Sequence, residues 1–459
     1  MLHRHTLTWV AIFGVISLMF LRLPPMIAKQ DSVLNTYGPL VEVDALAKQQ
    51  FVEPIHDDRL VEGAIRGMML RLDPYSGYIS PDELPSFERR NNGEYCGVGI
   101  EVGYRNGRLA VIAPIEGSPA AHAGVRPGDL VLAINGREVE GRSVFEVEDM
   151  LVGAPDTVVK LRVLHSGERE PTTFAIARGP VQMQTVRGFS RDDANQWIYR
   201  LNSDARIGYI RISNFRQNTA REFDRALKPL LSQGLMGLII DLRFNPGGIM
   251  QQAIDLADRF LPDGIIVSTV TRRRAVEEFR AHAPDTVNEL PIVVLINGGS
   301  ASAAEIVAGS LQARRRATIV GERSFGKGSV QHLVKLTGHD AAVKLTTAYY
   351  RMPDGRIIHR TTRNALSNAW GIIPDVEFVL TDAEARAVQD ARRTLDLAFV
   401  TAEPKAEEGA SALPLVPSAT DAAASPSTHG PSVPSRELPL DRQLEKGIDV
   451  LRSMVQPCE

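Results

Sequence analysis

The chain has 459 residues, with 52 Lys and Arg against 55 Asp and Glu and a formal charge of −3 at pH 7. That length predicts two or three domains, and nothing in the near-neutral balance argues for a nucleic-acid partner. The two cysteines, Cys96 and Cys458, match no metal-ligand spacing and give no disulfide framework. At the N-terminus, His3, Arg4 and His5 precede an apolar run at 7–21 that Arg22 closes. Fifteen residues suit the core of an export signal, whereas a full span wants about twenty. Pro24 and Pro25 stop any helix, and Met26-Ile27-Ala28 is a poor cleavage site. Residues 1–28 are therefore read as an export signal, either cleaved or kept as a membrane anchor. The rest of the chain is expected outside the cytoplasm, periplasmic or anchored.

Residues 32–90 read as a helical module without chemistry. Apolar positions recur at helical spacing over 40–51 and 60–72, and Leu72-Asp73-Pro74-Tyr75-Ser76 breaks the pattern with a proline turn. Residues 91–180 read as a compact β-rich unit. A glycine-framed turn, Gly97-Val98-Gly99-Ile100, precedes a strand. A short helix follows from Ser118 and closes on Gly124, and Asn135-Gly136 predicts a hairpin turn. A second helix is expected over 144–151. This order resembles a PDZ domain. The resemblance implies capture of an extended peptide at a sheet edge, with its terminal carboxylate held by the amides of Gly97, Val98, Gly99 and Ile100.

From 181 the pattern changes to alternating strands and helices. Strands are expected at 207–212, 235–242, 265–270 and 291–296, with helices at 219–231 and 250–260, which points to an α/β core. Asp241-Leu242-Arg243-Phe244-Asn245-Pro246-Gly247-Gly248 closes one strand and can expose backbone amides before the next helix. The arginine triplets at 272–274 and 314–316 read as solvated faces.

The chemistry concentrates at 297–331. Gly298 and Gly299 turn the chain out of a buried strand, and Ser302 stands where a helix begins. Ser302 and Glu305 form S-x-x-E, which by itself is a helix capping box. Gly321 to Lys327 fits seven places of a phosphate loop, but Gly328 stands where the hydroxyl residue belongs and a strand pattern follows where a helix is required. The reactive reading pairs the Ser302 hydroxyl with Lys327 on a Gly-Lys-Gly loop. Lysine must be neutral to act as a base, a drop of roughly three units from about 10.4, or about 4 kcal/mol. Phe325 and Val330 supply apolar neighbours, and the flanking glycines allow close backbone approach.

This stretch resembles the carboxyl-terminal processing peptidases, or tail-specific proteases. Their serine and lysine stand 25 positions apart, as Ser302 and Lys327 do, and a glutamine follows four later, here Gln331. That spacing selects Ser302 over Ser300. Ala304 replaces a serine that many members carry. The D-L-R-F-N-P-G-G run and Gly371-Ile372-Ile373-Pro374-Asp375 also match family segments. The resemblance implies Ser302 as nucleophile, Lys327 as general base, Gln331 orienting the lysine, and an oxyanion hole from the amides of Gly248 and Ala303. It implies an α/β core at 181–400 similar to the spiral fold of crotonases and Clp-type peptidases, protein substrates bound by their C-terminal tails, and no metal or other cofactor. The competing classes are a PDZ adaptor with an inactive peptidase shell and an acyl-thioester hydrolase. Residues 361–369 have no assigned role. Residues 403–437, rich in Ala, Pro and Ser, read as a flexible linker, and 438–459 as a terminal helix. The sequence leaves a homodimer through the terminal segments open.

Overall fold

The structure is a computed structural model that describes residues 35–455, apart from 92–95, 106, 116, 143, 166, 182–183, 193–195, 274–275, 283–285, 362–363, 368 and 402–440. The leader at 1–28, the linker at 403–437 and Cys458 lie outside the described residues. The chain divides into two compact units, residues 1–81 with 333–345, and residues 82–332 with 346–459.

In the first unit the helix Asp57–Leu70 precedes the proline turn. The Asp73 carboxylate accepts the amides of Tyr75 and Ser76, both at 2.7 Å, which closes the turn as an Asx motif. The strand Gly77–Ile79 then pairs antiparallel with residues 342–344. No helix among the described residues is long and apolar enough to cross a membrane.

In the second unit the expected α/β core is a six-stranded sheet. Its order is Val186–Arg187, Ile207–Ile212, Gly237–Asp241, Ile292–Ile296, Thr318–Gly321, Val376–Glu377. The first pairing is antiparallel and the rest are parallel. Both faces are covered, so the central strands read as unbroken apolar runs. Leu238, Ile240, Val294 and Ile296 pack in one cluster with residues of the helices Thr219–Ser232, Met250–Asp258 and Ala303–Ala313. Ile239, Val293, Leu295 and Val320 face the other way, onto Leu444, Ile448 and Leu451 of the helix Arg442–Val455.

The β-rich part of this unit is an antiparallel sheet in the order Ile100–Arg105, Arg108–Pro114, Leu130–Ile134, Val158–Leu164, Thr172–Ala177. Asn135 and Gly136 both have positive φ, 51° and 77°, and make the expected hairpin turn. Val147 and Leu151 of the helix Val144–Leu151 close its core over Val98, Ile134 and Leu161.

One expectation fails at the 314–316 triplet. Arg316 is not a solvated residue: its guanidinium donates to the carbonyls of Phe260, Leu290 and Val287. Those carbonyls end other segments, so their need for a donor leaves no trace in the local charge pattern.

Candidate active site

The parallel strand Ile292–Ile296 delivers the chain into a turn held by side chains. Asn297 Oδ1 accepts the amides of Phe244 at 2.9 Å and Gly299 at 3.0 Å. Ser300 is fully buried; its hydroxyl donates to Leu242 O at 2.8 Å and accepts the Asn297 amide at 2.9 Å. That hydroxyl is occupied in holding two loops together. Ser302 stands two residues on, at the mouth of the helix Ala303–Ala313, with φ 56° and ψ −115°. A non-glycine residue in such backbone is held there by its surroundings. The phenol of Tyr350, a residue only 5 % exposed, lies near the Ser302 hydroxyl. Burial pushes the Tyr350 phenol up, and the nearby Ser302 hydroxyl partly offsets this.

Glu305 organises the site. It is fully buried, and its carboxylate accepts four donors. Oε2 takes the amides of Ser302 and Lys327, both at 2.8 Å. Oε1 takes the Ser324 hydroxyl at 2.5 Å and the Gly326 amide at 2.7 Å. Burial pushes the carboxyl up, and these four bonds pull against it. The amide nitrogens of Ser302 and Lys327 share one acceptor, so they lie at most about 5.6 Å apart, twice the 2.8 Å bond. The S-x-x-E pattern reveals only the first of the four contacts. The lysine loop is pinned further by Ser324, whose amide donates to Ile372 O at 3.0 Å and whose hydroxyl accepts the Ile372 amide at 2.6 Å. Asp375 of the same Gly-Ile-Ile-Pro-Asp segment accepts the Ile319 amide at 2.8 Å. Lys327 is half-buried. The strand Ser329–Lys335, not a helix, follows it, so the phosphate-loop geometry is not built. Gln331 donates through Nε2 to the hydroxyls of Ser329 at 2.9 Å and Thr346 at 3.3 Å. That orientation leaves Oε1 as the end of Gln331 able to accept from an ammonium.

The D-L-R-F-N-P-G-G segment passes under the serine. Phe215 donates to Gly247 O at 2.9 Å and accepts the Ile249 amide at 2.8 Å, so the Gly248 amide between them faces the opposite way. Gly247, at φ 99°, lies so near Ser302 that a Cβ there would sit 2.6 Å from the serine's own. Among the described residues neither the Gly248 nor the Ala303 amide has an acceptor. Behind the segment lies a buried ion network. Arg243, 2 % exposed, pairs with the fully buried Asp241 and with Asp441, each at 2.7 Å. Tyr209 and Arg392 also donate to Asp241. Burial alone would raise the Asp241 and Asp441 carboxyls; the charge and hydrogen bonds of Arg243, together with the charge of Arg392, outweigh it and hold both below the usual range. Asp441 in turn accepts the Leu444 amide at 3.0 Å and so caps the terminal helix. Sequence reasoning found neither Glu305 as a hub, nor Tyr350, nor this link from the terminal helix to the glycine segment.

In the β-rich part, Gly97, Val98, Gly99 and Ile100 are all buried. The Val98 amide donates to Leu151 O at 3.3 Å, and Gly99 O accepts the Ile115 amide at 2.8 Å. Ile100 stands opposite Pro114, the position next to that bond, so its amide faces away from the Arg108–Pro114 strand.

A family model described as "Peptidase family S41" matches residues 206–378, a PDZ-domain model matches 111–164, and one described as "Activating protease CtpB N-terminal domain" matches 28–82. The chain is similar to a carboxy-terminal-processing protease of Bartonella bacilliformis, 39% identical over 74% of this chain and 75% of that one. A carboxyl-terminal-processing protease of Synechocystis is 36% identical over 72% and 74%. The carboxy-terminal processing protease CtpA of Bacillus subtilis is 34% identical over 76% and 70%. With the fold, the PDZ domain and relatives matched over most of their length, the chain belongs to peptidase family S41, among the carboxy-terminal processing proteases.

Proposed function

We propose that this serine peptidase cleaves protein substrates near their C-termini with Ser302 as nucleophile and Lys327 as general base. The Ser302 Oγ bonds to the scissile carbonyl carbon as its proton passes to the neutral Lys327 amine. The resulting oxyanion is received by the Gly248 and Ala303 amides, a contribution of roughly 3–4 kcal/mol per donor. The C–N bond then breaks, the lysine returns the proton to the leaving amine, and water attacks the acyl-enzyme by the reverse relay. Gln331, through Oε1, orients the lysine. The observation that carries this reading is the shared Glu305 oxygen, which fixes the nucleophile and the lysine loop to one point. The PDZ domain supplies the tail, with the Gly97–Ile100 turn, residues 97–100, as the place where the chain end is read.

The reading extends to location and assembly. The charged start and apolar run at 1–28 support export, with the catalytic part outside the cytoplasm and the segment serving as an anchor where it is retained. A homodimer through the terminal segments belongs to the same proposal.

The test is cleavage of a C-terminally tailed reporter protein. Ser302→Ala is expected to abolish turnover and labelling by a fluorophosphonate. Lys327→Arg is expected to remove the alkaline-rising limb of the pH–rate profile. Full turnover in Ser302→Ala, or an unchanged limb in Lys327→Arg, refutes the assignment.

A further inference from the structure

A cavity of about 360 Å³ lies between the PDZ domain and the peptidase sheet. Six arginines line it: Arg187, Arg191, Arg211, Arg243, Arg392 and Arg393. Four carboxylates answer them. Asp396 pairs with Arg187 and Arg211, Asp241 and Asp441 hold Arg243, and Glu101 is an exposed part of the lining. Positive groups therefore outnumber negative ones around the space.

Three further observations point to an anion site. Arg392 is 9 % exposed, yet among the described residues its buried Nη1 has no hydrogen-bond partner. A buried charged donor left unmatched is costly, and native structures fill such positions. The Arg211 guanidinium is pushed down to about 9, by burial first and by the charge of Arg392 next. Arg393 is exposed and makes no ion pair among the described residues.

The cavity is also placed near the chemistry. Phe244 borders it. Phe244 precedes Gly247 by three residues, at most about 11 Å of chain, and Gly247 abuts Ser302. About three extended peptide residues cover such a gap at about 3.3 Å each.

We propose that this cavity binds the terminal carboxylate of the short peptide released on the C-terminal side of the cut. Planar guanidinium groups match a carboxylate in charge and in fork geometry. The inference rests on Ser302 being the nucleophile. It adds a second reader of the chain end, on the peptidase side, to the one proposed on the PDZ domain.

The test uses binding, so it does not depend on turnover. The full chain carrying Ser302→Ala is titrated with an N-terminally labelled pentapeptide as the free acid and as the C-terminal amide, followed by anisotropy. The acid is expected to bind at least about tenfold more tightly, a difference of about 1.4 kcal/mol. Arg393→Gln together with Gln389→Glu, which adds a carboxylate to the wall and spares the buried arginines, is expected to bring the acid down to within about threefold of the amide. An acid preference that survives these changes assigns carboxylate reading to the PDZ turn alone and overturns the inference. Equal binding of acid and amide to the unaltered wall overturns it as well. If inorganic phosphate raises the melting temperature in that case, the cavity is a site for free anions. Failure of the nucleophile assignment would show separately, as turnover by Ser302→Ala.

Discussion

Asp441→Ala tests whether the terminal helix supports the Asp241–Gly248 segment. The Asp441 carboxylate accepts Arg243 Nη1 at 2.8 Å and Nη2 at 2.7 Å, and caps the helix through the Leu444 amide. Removing one partner of a buried ion pair costs about 3–5 kcal/mol when the other charge is stranded. Here Asp241 still faces Arg243, and the Asp441 side chain is 17% exposed, so the lower end of that range applies. The cap adds about 1 kcal/mol. The docked helix should therefore lose about 3–4 kcal/mol, a rise of roughly two to three orders of magnitude in its undocked fraction. Hydrogen exchange of the amides over 444–451 reads this directly, because Leu444, Ile448 and Leu451 are the residues buried against the sheet. Asp441→Asn keeps the cap and one acceptor and should lose less. In Asp441→Ala, kcat/KM should fall with protection, since Arg243 belongs to the segment that ends at Gly248. Exchange within about threefold of the unaltered protein would refute the argument.

Three other outcomes follow from the geometry. Gly247→Ala places a methyl 2.6 Å from the Ser302 Cβ at a φ of 99°, and kcat/KM should fall by at least about 100-fold while circular dichroism shows the fold intact. Tyr350→Phe removes the phenolic hydroxyl near Ser302; if that hydroxyl donates to the serine during turnover, the loss is about 0.5–1.5 kcal/mol, so kcat should change by roughly 2–12-fold with KM unmoved. An effect confined to KM would place Tyr350 in substrate binding instead. Asp241 and Asp441 titrate below their ordinary value of 3.8 in the folded protein. Their contribution to stability is therefore complete above that pH and lost as pH falls through it toward the folded values. The melting temperature should drop steeply below about pH 4, and less steeply in Asp441→Asn; identical slopes would refute the assignment.

Local patterns in the sequence revealed much of this molecule. Unbroken apolar runs marked the central strands because the sheet is covered on both faces. Gly247 and Gly248, after Asp241, marked backbone at positive φ that other residues adopt only with strain. The same locality hid the rest. Glu305 was visible as a helix cap to Ser302, but its bonds to Ser324, Gly326 and Lys327 join residues 19 to 22 positions away. Tyr350 looked like an ordinary strand residue, since period-two alternation says which face it occupies and nothing of what waits there. Arg316 carried a charge-run signature, and only the packed fold shows three carbonyls converging on it. The terminal stretch was legible as a helix. Its partner was not, because an ion pair spanning 198 positions has no period to detect.

The 198-position separation between Arg243 and Asp441 also sets a clock. At roughly 5–20 residues per second, a ribosome makes the arginine about 10–40 s before the aspartate that neutralises it. Throughout that interval Arg243 has Asp241 beside it but not its second carboxylate, Asp441. Burial of Leu444, Ile448 and Leu451 against the sheet therefore waits until translation has passed residue 451.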